Sequence, residues 1–589
     1  MLIIIVTVAD SFSPKMTKLT ARHLGLFLTV VSALFSERAL ALGRGSDSLS
    51  VVCEAWASVA SNKDLRPLLS YSNQWGRFTQ YDQAELAAGA SVAYAHEFHN
   101  PRVKFRSGVS GQVSSDSRRT MLGELYADFD LWMFGVKMGM ENFTPVETNT
   151  LTSVGSYIMS NNARPVPRAW VGIFDYWSIP FDRLPFRFAH LIKDAVQIRG
   201  GFSVGRMDDE GVASYTDDVL LHEKFAYGRL GLWYVKPYIG LCHSVVMGGT
   251  LSDGTKVPID FWNSVFGRHG DPAVFGVQFR GETTNAAGGH QGMWDLGLDF
   301  DLPNGASGKV YYQRNFADNK NHGFVPDFKK DCSFGVQVSL PSTPFVKMVS
   351  LEFVKTDWQG GEGLPDPYVP TQGGDEVLYW PGDINAANFE HIRNDILIAN
   401  DIREWQERTG QELSLSNYMQ FFADTYNGGH EYGGRSKYLT NWNIEQGWTR
   451  GGLSMGSPLF HTAETVRRYA PAGSMKLGNV FPNLRVRAVN IGLAGDIVQG
   501  RVAYVFRATF TRNSGNYCEK YKGNSEVSWD LWDGYYFASS RNETYLMLNL
   551  RTELCRGLSL CTDLAYDFGQ LYRSFSARAG ISYAIGRGF

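Results

Sequence analysis

The sequence predicts an all-β protein, a transmembrane antiparallel β-barrel with a few short helices plugging or flanking it. The run that closes on Phe589 places an apolar residue at every second position, Phe575, Ala577, Ala579, Ile581, Tyr583 and Ile585. Ser574, Ser576, Arg578, Gly580, Ser582, Ala584 and Gly586 lie between them. A strand with this pattern shows hydrocarbon to one side and water to the other, and an aromatic at its end is usual for outer-membrane barrels. Composition agrees. Aromatic residues make up 14% of the chain, Gly is abundant at 62 residues, and mean hydropathy is -0.21. A barrel reconciles a soluble-like mean with membrane residence, because half of each strand and all of the loops are polar. Past the N-terminal segment, no window reaches the roughly 18 uncharged apolar residues that a membrane helix requires.

Residues 1–41 read as an export signal. Lys18 and Arg22 precede the apolar stretch from Leu24 to Leu34, and Ala39-Leu40-Ala41 supplies a small-residue cleavage site. Met16 begins a conventional signal by itself. Residues 42–589 then form the barrel domain with long extracellular loops, in the outer membrane of a Gram-negative bacterium. At roughly ten residues per strand the remainder accommodates a strand count in the high teens.

The C-terminal hundred residues read as a meander. Leu546, Leu548, Leu550 and Leu554 alternate with Met547, Asn549, Arg551 and Glu553, and after a turn at Arg556-Gly557 the pattern resumes at Leu558, Leu560, Leu564, Tyr566 and Phe568. Upstream, Val489, Ile491, Leu493 and Ile497 lead through a turn near Gly500 into Val502, Tyr504, Phe506, Ala508 and Phe510. The opposite faces carry charges of both signs, as expected of a polar lumen. The same alternation marks Glu124 to Asp130, Phe134 to Met140, and Trp294 to Asp301 paired with Lys309 to Arg314. Long connections fall around 142–160, 251–290, 358–383, 424–446 and 513–542. One segment departs from period two. Asp383 N-caps a predicted helix running to about Arg408, with Phe389, Ile392, Ile396 and Ala399 on one stripe and Gly410 as its stop. Its charges exclude a span, so it packs on the rim or in the lumen.

Net charge is -3 with no basic block, which excludes nucleic acid as a partner. The six cysteines lack metal spacing. Cys555 and Cys561 flank a hairpin turn in an oxidising compartment, but after a turn at Arg556-Gly557 they do not sit opposite each other. No G-x-S-x-G elbow, phosphate loop or carboxylate pair demands a catalytic reading, so no enzyme and no cofactor are expected.

Several segments together resemble the Wzi family of capsule-assembly outer-membrane proteins, in the version typical of Bacteroidota-like Gram-negative bacteria. They are Asn73-Gln74-Trp75-Gly76-Arg77, Gly123-Glu124-Leu125-Tyr126-Ala127-Asp128, Met159-Ser160-Asn161-Asn162-Ala163-Arg164-Pro165-Val166-Pro167, Leu221-His222-Glu223-Lys224, and Gly447-Trp448 followed by Met455-Gly456-Ser457-Pro458-Leu459. The resemblance reaches from about residue 50 to the C-terminus. It implies a barrel of about eighteen strands with helices closing the periplasmic side, acting as a lectin that holds capsular polysaccharide at the cell surface. The stretch 362–440 is longer and more aromatic than the family pattern, so loop contacts need not carry over from it.

Candidate contacts follow from residue chemistry. Arg164, ahead of Pro165-Val166-Pro167, offers a guanidinium that binds a uronic-acid carboxylate in bidentate fashion. The alternative is that Arg164 and Asn162 hold the lumen together by pairing with carboxylates such as Glu124 or Asp128. His222, Glu223 and Lys224 lack the i, i+4 histidine pair of a metal site, which favours a structural network, with His222 kept as a candidate sugar contact. The loop from Asp424 to Trp442 carries Tyr426, His430, Tyr432, Arg435 and Tyr438 among glycines. Aromatic faces stack on sugar rings while Arg and Asn hydrogen-bond the hydroxyls, so Tyr432, Arg435 and Tyr438 are candidate contacts; an interfacial aromatic girdle is the competing explanation.

The expected function is a lectin-like barrel that binds capsular or other exopolysaccharide and assists its assembly and retention, many weak contacts along one polymer adding up through effective concentration. Outer-membrane lipid and lipopolysaccharide surround it, and a monomer is expected. The alternative is a channel or porin for oligosaccharides or small solutes.

Overall fold

The computed structural model describes residues 45–588 except 101, 147–150, 182–184, 186–191, 208–213, 232, 285, 317–323, 329, 342, 344, 359–367, 371–375, 379–405, 413, 415, 418–438, 442, 479, 499, 517–518 and 520–533. The export signal expected at 1–41 lies outside them, as does the predicted helix 383–408 up to residue 405; residues 406–409 form a helical turn.

Eighteen strands pair antiparallel into one closed sheet. They are β1 (Gly45–Ala60), β2 (Ala84–Phe98), β3 (Val103–Ser114), β4 (Met121–Leu131), β5 (Phe134–Met140), β6 (Arg168–Ser178), β7 (Val196–Met207), β8 (Val219–Leu230) and β9 (Val235–Met247), then β10 (Gly289–Asp301), β11 (Ser307–Phe316), β12 (Cys332–Ser339), β13 (Met348–Lys355), β14 (Val486–Ile497), β15 (Val502–Asn513), β16 (Arg541–Cys555), β17 (Leu558–Gly569) and β18 (Ser574–Gly588). Each strand pairs with its neighbour in sequence, and β1 against β18 closes the ring, with Trp56 opposite Gly580.

Side-chain alternation sets the two faces of the wall. On β18 the predicted apolar residues Phe575, Ile581, Tyr583 and Ile585 are exposed, while Ser574, Ser576, Arg578 and Ser582 are buried. The turn between β16 and β17 falls at Arg556-Gly557 as the sequence predicts, and Gly557 has φ +81° with a would-be Cβ only 2.4 Å from the Ala584 carbonyl oxygen, so only glycine fits. Cys555 pairs with Leu558 and Cys561 with Arg551, and both thiols are free.

The up-and-down order puts the turns 99–102, 132–133, 231–234, 302–306, 498–501 and 556–557 at one end, with the start of β1 and the end of β18. Connections 61–83, 141–167, 248–288, 356–485 and 514–540 all start and finish at the other end. In outer-membrane barrels the short-turn end faces the periplasm and the long connections face outward. The helices α1 (Leu68–Tyr71), α2 (Phe261–Phe266), α3 (Pro272–Phe275), α4 (Arg280–Thr284) and α5 (Ala463–Tyr469) belong to these long connections. Among the described residues, then, helices gather at the long-connection end, whereas the family resemblance implies them at the periplasmic side. The reason is that the long segments bury apolar residues of their own, 61–83, 141–167 and the described part of 439–485 inside the barrel and 248–288 against its outer face.

The hydrophobic core consequently sits inside the barrel. Leu68, Val154, Tyr157, Ile158, Trp448, Leu459 and Phe460 from the connections pack with Trp56, Trp170, Phe225, Tyr238, Met293, Tyr311, Tyr545 and Met547 from the inner wall. Burying each large apolar side chain there stabilises the fold by about 2 kcal/mol.

Candidate functional site

Three plug segments far apart in sequence meet in one hydrogen-bonded knot. Trp75 N–H donates to the Asn161 carbonyl at 2.6 Å, and Asn161 Nδ2 returns a bond to the Asn73 carbonyl at 2.7 Å. Asn73 N–H donates to Asn162 Oδ1 at 3.2 Å, and Asn162 Nδ2 donates to the Ser454 carbonyl at 2.8 Å. The Ser160 hydroxyl bonds the Gly456 carbonyl at 2.6 Å, and the Trp448 indole N–H bonds the Ile158 carbonyl at 2.5 Å. Irregular backbone inside a closed volume must find such partners, which is why Asn and Ser recur in these segments.

Inward-facing strand residues fix the knot to the wall. Glu352 on β13 accepts from the Ser153 hydroxyl at 2.7 Å, Val154 N–H at 2.9 Å and Asn490 Nδ2 at 2.8 Å, and from the Tyr311 hydroxyl. Asp567 accepts from Leu68 N–H at 2.6 Å, Gln112 Nε2 donates to the Arg77 carbonyl at 2.6 Å, and Arg578 donates to the Ser70 carbonyl. Arg119, buried in the turn 115–120, donates to the Gly76 carbonyl at 3.1 Å, and burial pulls its pKa down. Toward the short-turn end the inner wall carries paired charges, Arg229 with Asp299 at 2.9 Å and Lys236 with Asp301 at 2.7 Å.

Above the plug, the long-connection end carries an arginine and tyrosine rim built from five separate connections. The Tyr81 ring lies between the guanidinium groups of Arg118 at 5.4 Å and Arg468 at 3.9 Å. Arg467 and Arg468, in the last turn of α5, pair with Glu464 at 2.9 and 2.7 Å and stay partly exposed. Thr462 caps that helix through its hydroxyl. Tyr469 stacks on Tyr572 at 6.0 Å and contacts Tyr536 at 5.9 Å, and Arg541 covers Tyr536 at 3.8 Å. Burial pushes the Tyr81 hydroxyl up. Burial also raises Asp116, but the Thr79 hydroxyl and Arg118 outweigh it and hold the carboxyl below its usual value. Guanidinium groups beside ring faces suit a sugar bearing a carboxylate.

The sequence candidates are not brought together. Asn162 is buried in the knot with its amide engaged on both sides. Arg164 is half-buried, its backbone packed on Gly76. The carboxylates expected to pair with it are held by others. Asp128 is bonded by Lys137 at 2.8 Å and Arg106 at 3.3 Å, and Glu124 accepts from Asn142 N–H at 3.0 Å. His222 is fully buried on the outer face of β8, its Nδ1 donating to the Ser203 carbonyl at 2.7 Å and its ring against Phe202 and Phe261. Glu223 points inward and pairs with Arg168, the structural network the sequence favours. Tyr432, Arg435 and Tyr438 lie outside the described residues. Sequence reading missed the rim because its residues come from five connections; the clusters Arg467-Arg468-Tyr469 and Tyr535-Tyr536-Phe537 are the signal that was available. Among the described residues no group of three His, Cys, Asp or Glu can hold a metal ion.

No family model and no curated protein matches the chain. Among solved structures it is similar to Wzi of Escherichia coli, an outer-membrane protein involved in group 1 capsule assembly and a carbohydrate-binding β-barrel. The two are 10% identical with a TM-score of 0.45, over 96% of this chain and 89% of that one. OccK3 of Pseudomonas aeruginosa is 11% identical with a TM-score of 0.40, over 92% and 96%. OccAB4 of Acinetobacter baumannii is 8% identical with a TM-score of 0.38, over 92% and 98%. These likenesses concern the fold.

Proposed function

We propose that this chain is an outer-membrane lectin-like barrel of the Wzi type, which binds capsular or related surface polysaccharide and assists its assembly and retention. The observation that carries the reading is the packed plug with the arginine and tyrosine rim above it. The long-connection half of the lumen is filled with buried, hydrogen-bonded segments, which suits a surface that holds polymer better than a pore that passes solute. The exposed Arg118, Arg467 and Arg468 are the contacts we propose among the described residues, with the buried Tyr81 and Tyr536 holding the guanidinium groups in place; Tyr432, Arg435 and Tyr438 extend the same chemistry. Binding is multivalent, each repeat unit contributing weakly and the polymer being retained through many sites.

The test is in-frame deletion followed by measurement of polymer on cells and in medium, with total polymer quantified in both strains. Unchanged synthesis with polymer shed into the medium is the expected result. Polymer retained in normal amount overturns it. A channel is the second reading, favoured by the paired charges lining the short-turn half of the lumen. Steady ion conductance of the purified wild-type barrel would establish that reading instead.

A further inference from the structure

The outer wall is apolar over its full height in one sector and not in another. On β18 the exposed apolar run from Phe575 to Ile585 extends about 33 Å along the strand, about 25 Å of height at a tilt near 40°, which matches the lipid-facing band of such barrels. On β8 the uncovered outward run, Ala226 to Leu230, extends about 13 Å, about 10 Å of height. Above it the outward positions are His222 and Lys224, and the adjoining strands place His243 and His290 at the same level, with His243 Nε2 and His290 Nδ1 3.0 Å apart. Four polar side chains on the outer wall would face acyl chains if nothing covered them.

Connection 248–288 covers His222, Lys224 and His290, and His243 is engaged by His290 and Phe316. The connection leaves the barrel mouth, folds down over the outer face and encloses a small core of its own, Val257, Phe275, Phe279 and Ala287. Lys224 Nζ donates to the Val265 carbonyl, the His222 ring meets Phe261 at 6.3 Å, and His290 Nε2 donates to the Ala287 carbonyl at 2.8 Å. With its inner side engaged by the wall, α2 turns Trp262 (51% exposed) and Phe266 (60%) outward, the rings stacked at 6.0 Å, with Ile259 beside them in sequence and 47% exposed. At the short-turn end of the same sector Trp233 and Tyr234 are exposed in the turn between β8 and β9.

We propose that segment 248–288 is a membrane-seated collar whose Ile259, Trp262 and Phe266 face enters the acyl and headgroup boundary of the bilayer, replacing the upper lipid-facing wall of β8 to β10. The partner is the lipid surface itself. Continuity decides it. The patch continues the apolar wall formed by Ala226, Leu230, Ile239 and Leu298 directly below it, and it supplies the height those strands lack. Aromatic pairs of this kind form the interfacial girdles of membrane barrels, and Trp233 with Tyr234 supplies the opposite girdle in this sector. The inference is independent of what the rim binds.

The test uses the full-length barrel in phosphatidylcholine vesicles with and without acyl-brominated phosphatidylcholine. The chain has 15 tryptophans, so Trp262 is read as the difference between the wild type and Trp262→Phe, with heat-modifiable gel mobility checking that the barrel is intact. The expected result is that Trp262→Phe lowers the amount of emission per molecule quenched by brominated lipid and leaves the amount quenched by iodide unchanged. A second variant, Phe266→Trp, should raise the lipid-quenched amount. Loss of iodide-quenched emission in the first variant, with a gain of it in the second, would place the collar in water and overturn the proposal.

Discussion

Asn73 and Asn161 bind each other's segments from 88 residues apart, Asn161 Nδ2 reaching the Asn73 carbonyl at 2.7 Å. With Trp75 N–H on the Asn161 carbonyl, the pair makes the first and second inward connections one unit. Replacing Asn161 by Ala leaves a buried carbonyl without its donor and costs about 1 to 3 kcal/mol. Single-channel recording of the purified variant should show openings more frequent than in wild type, because the plug, not the wall, loses its tie. Equal recordings from both proteins would mean that the knot does not control closure.

Gly456 tests the same knot from the third segment. A Cβ built there lies 1.9 Å from the Tyr157 carbonyl oxygen, a backbone atom that moves only if the segments separate. Gly456→Ala should destabilise the plug by about 3 kcal/mol or more, while the strand ladder keeps its pairing. Limited proteolysis should cut the variant within 439–485 and leave the barrel wall intact. A protection pattern identical to wild type would contradict the packing.

The wall was legible in the sequence because membrane strands repeat every two residues and water and lipid select opposite side chains. Phe575 to Ile585, the Arg556-Gly557 turn, and the pairing of Trp294 with Arg314 all follow from that rule. The plug was not legible. Its segments have no period, and although 73–77 and 159–167 carry the family resemblance, only the fold shows that the side chains of Asn73, Asn161 and Ser160 each serve a buried backbone carbonyl. His222 misled for a different reason. Alternation alone places it on the face opposite Glu223, but only the collar explains how a histidine lives on the outer wall.

Exposed guanidinium groups at the rim set an electrostatic prediction. Arg118 and Arg468 flank Tyr81, and Arg467 lies beside them. Arg468→Ala should weaken binding of a uronic-acid-containing polysaccharide about three- to tenfold, which corresponds to a loss near 1 kcal/mol per site. Binding should also fall as salt rises, since these groups are solvent-accessible. Surface plasmon resonance on immobilised barrel reads both effects. A neutral glycan that binds as well as the acidic one would remove the arginines from the interaction.

Acidification should loosen the plug through His461. Burial pushes this imidazole down to about 4 from its usual 6.5, and its neighbours are two phenols and an amide, with Tyr469 at 3.1 Å, Tyr545 at 3.5 Å and Asn483 at 3.3 Å. A histidine with a depressed folded value is neutral in the packed state and takes up a proton when released. Its contribution is therefore complete above about pH 6.5 and declines as pH falls toward 4, by about 3 kcal/mol in all. The unfolding midpoint should drop between pH 7 and 4.5, and His461→Phe, which cannot titrate, should flatten that slope even if it lowers stability at pH 7 by losing its hydrogen bonds. Parallel pH slopes for wild type and variant would show that another group governs the acid response.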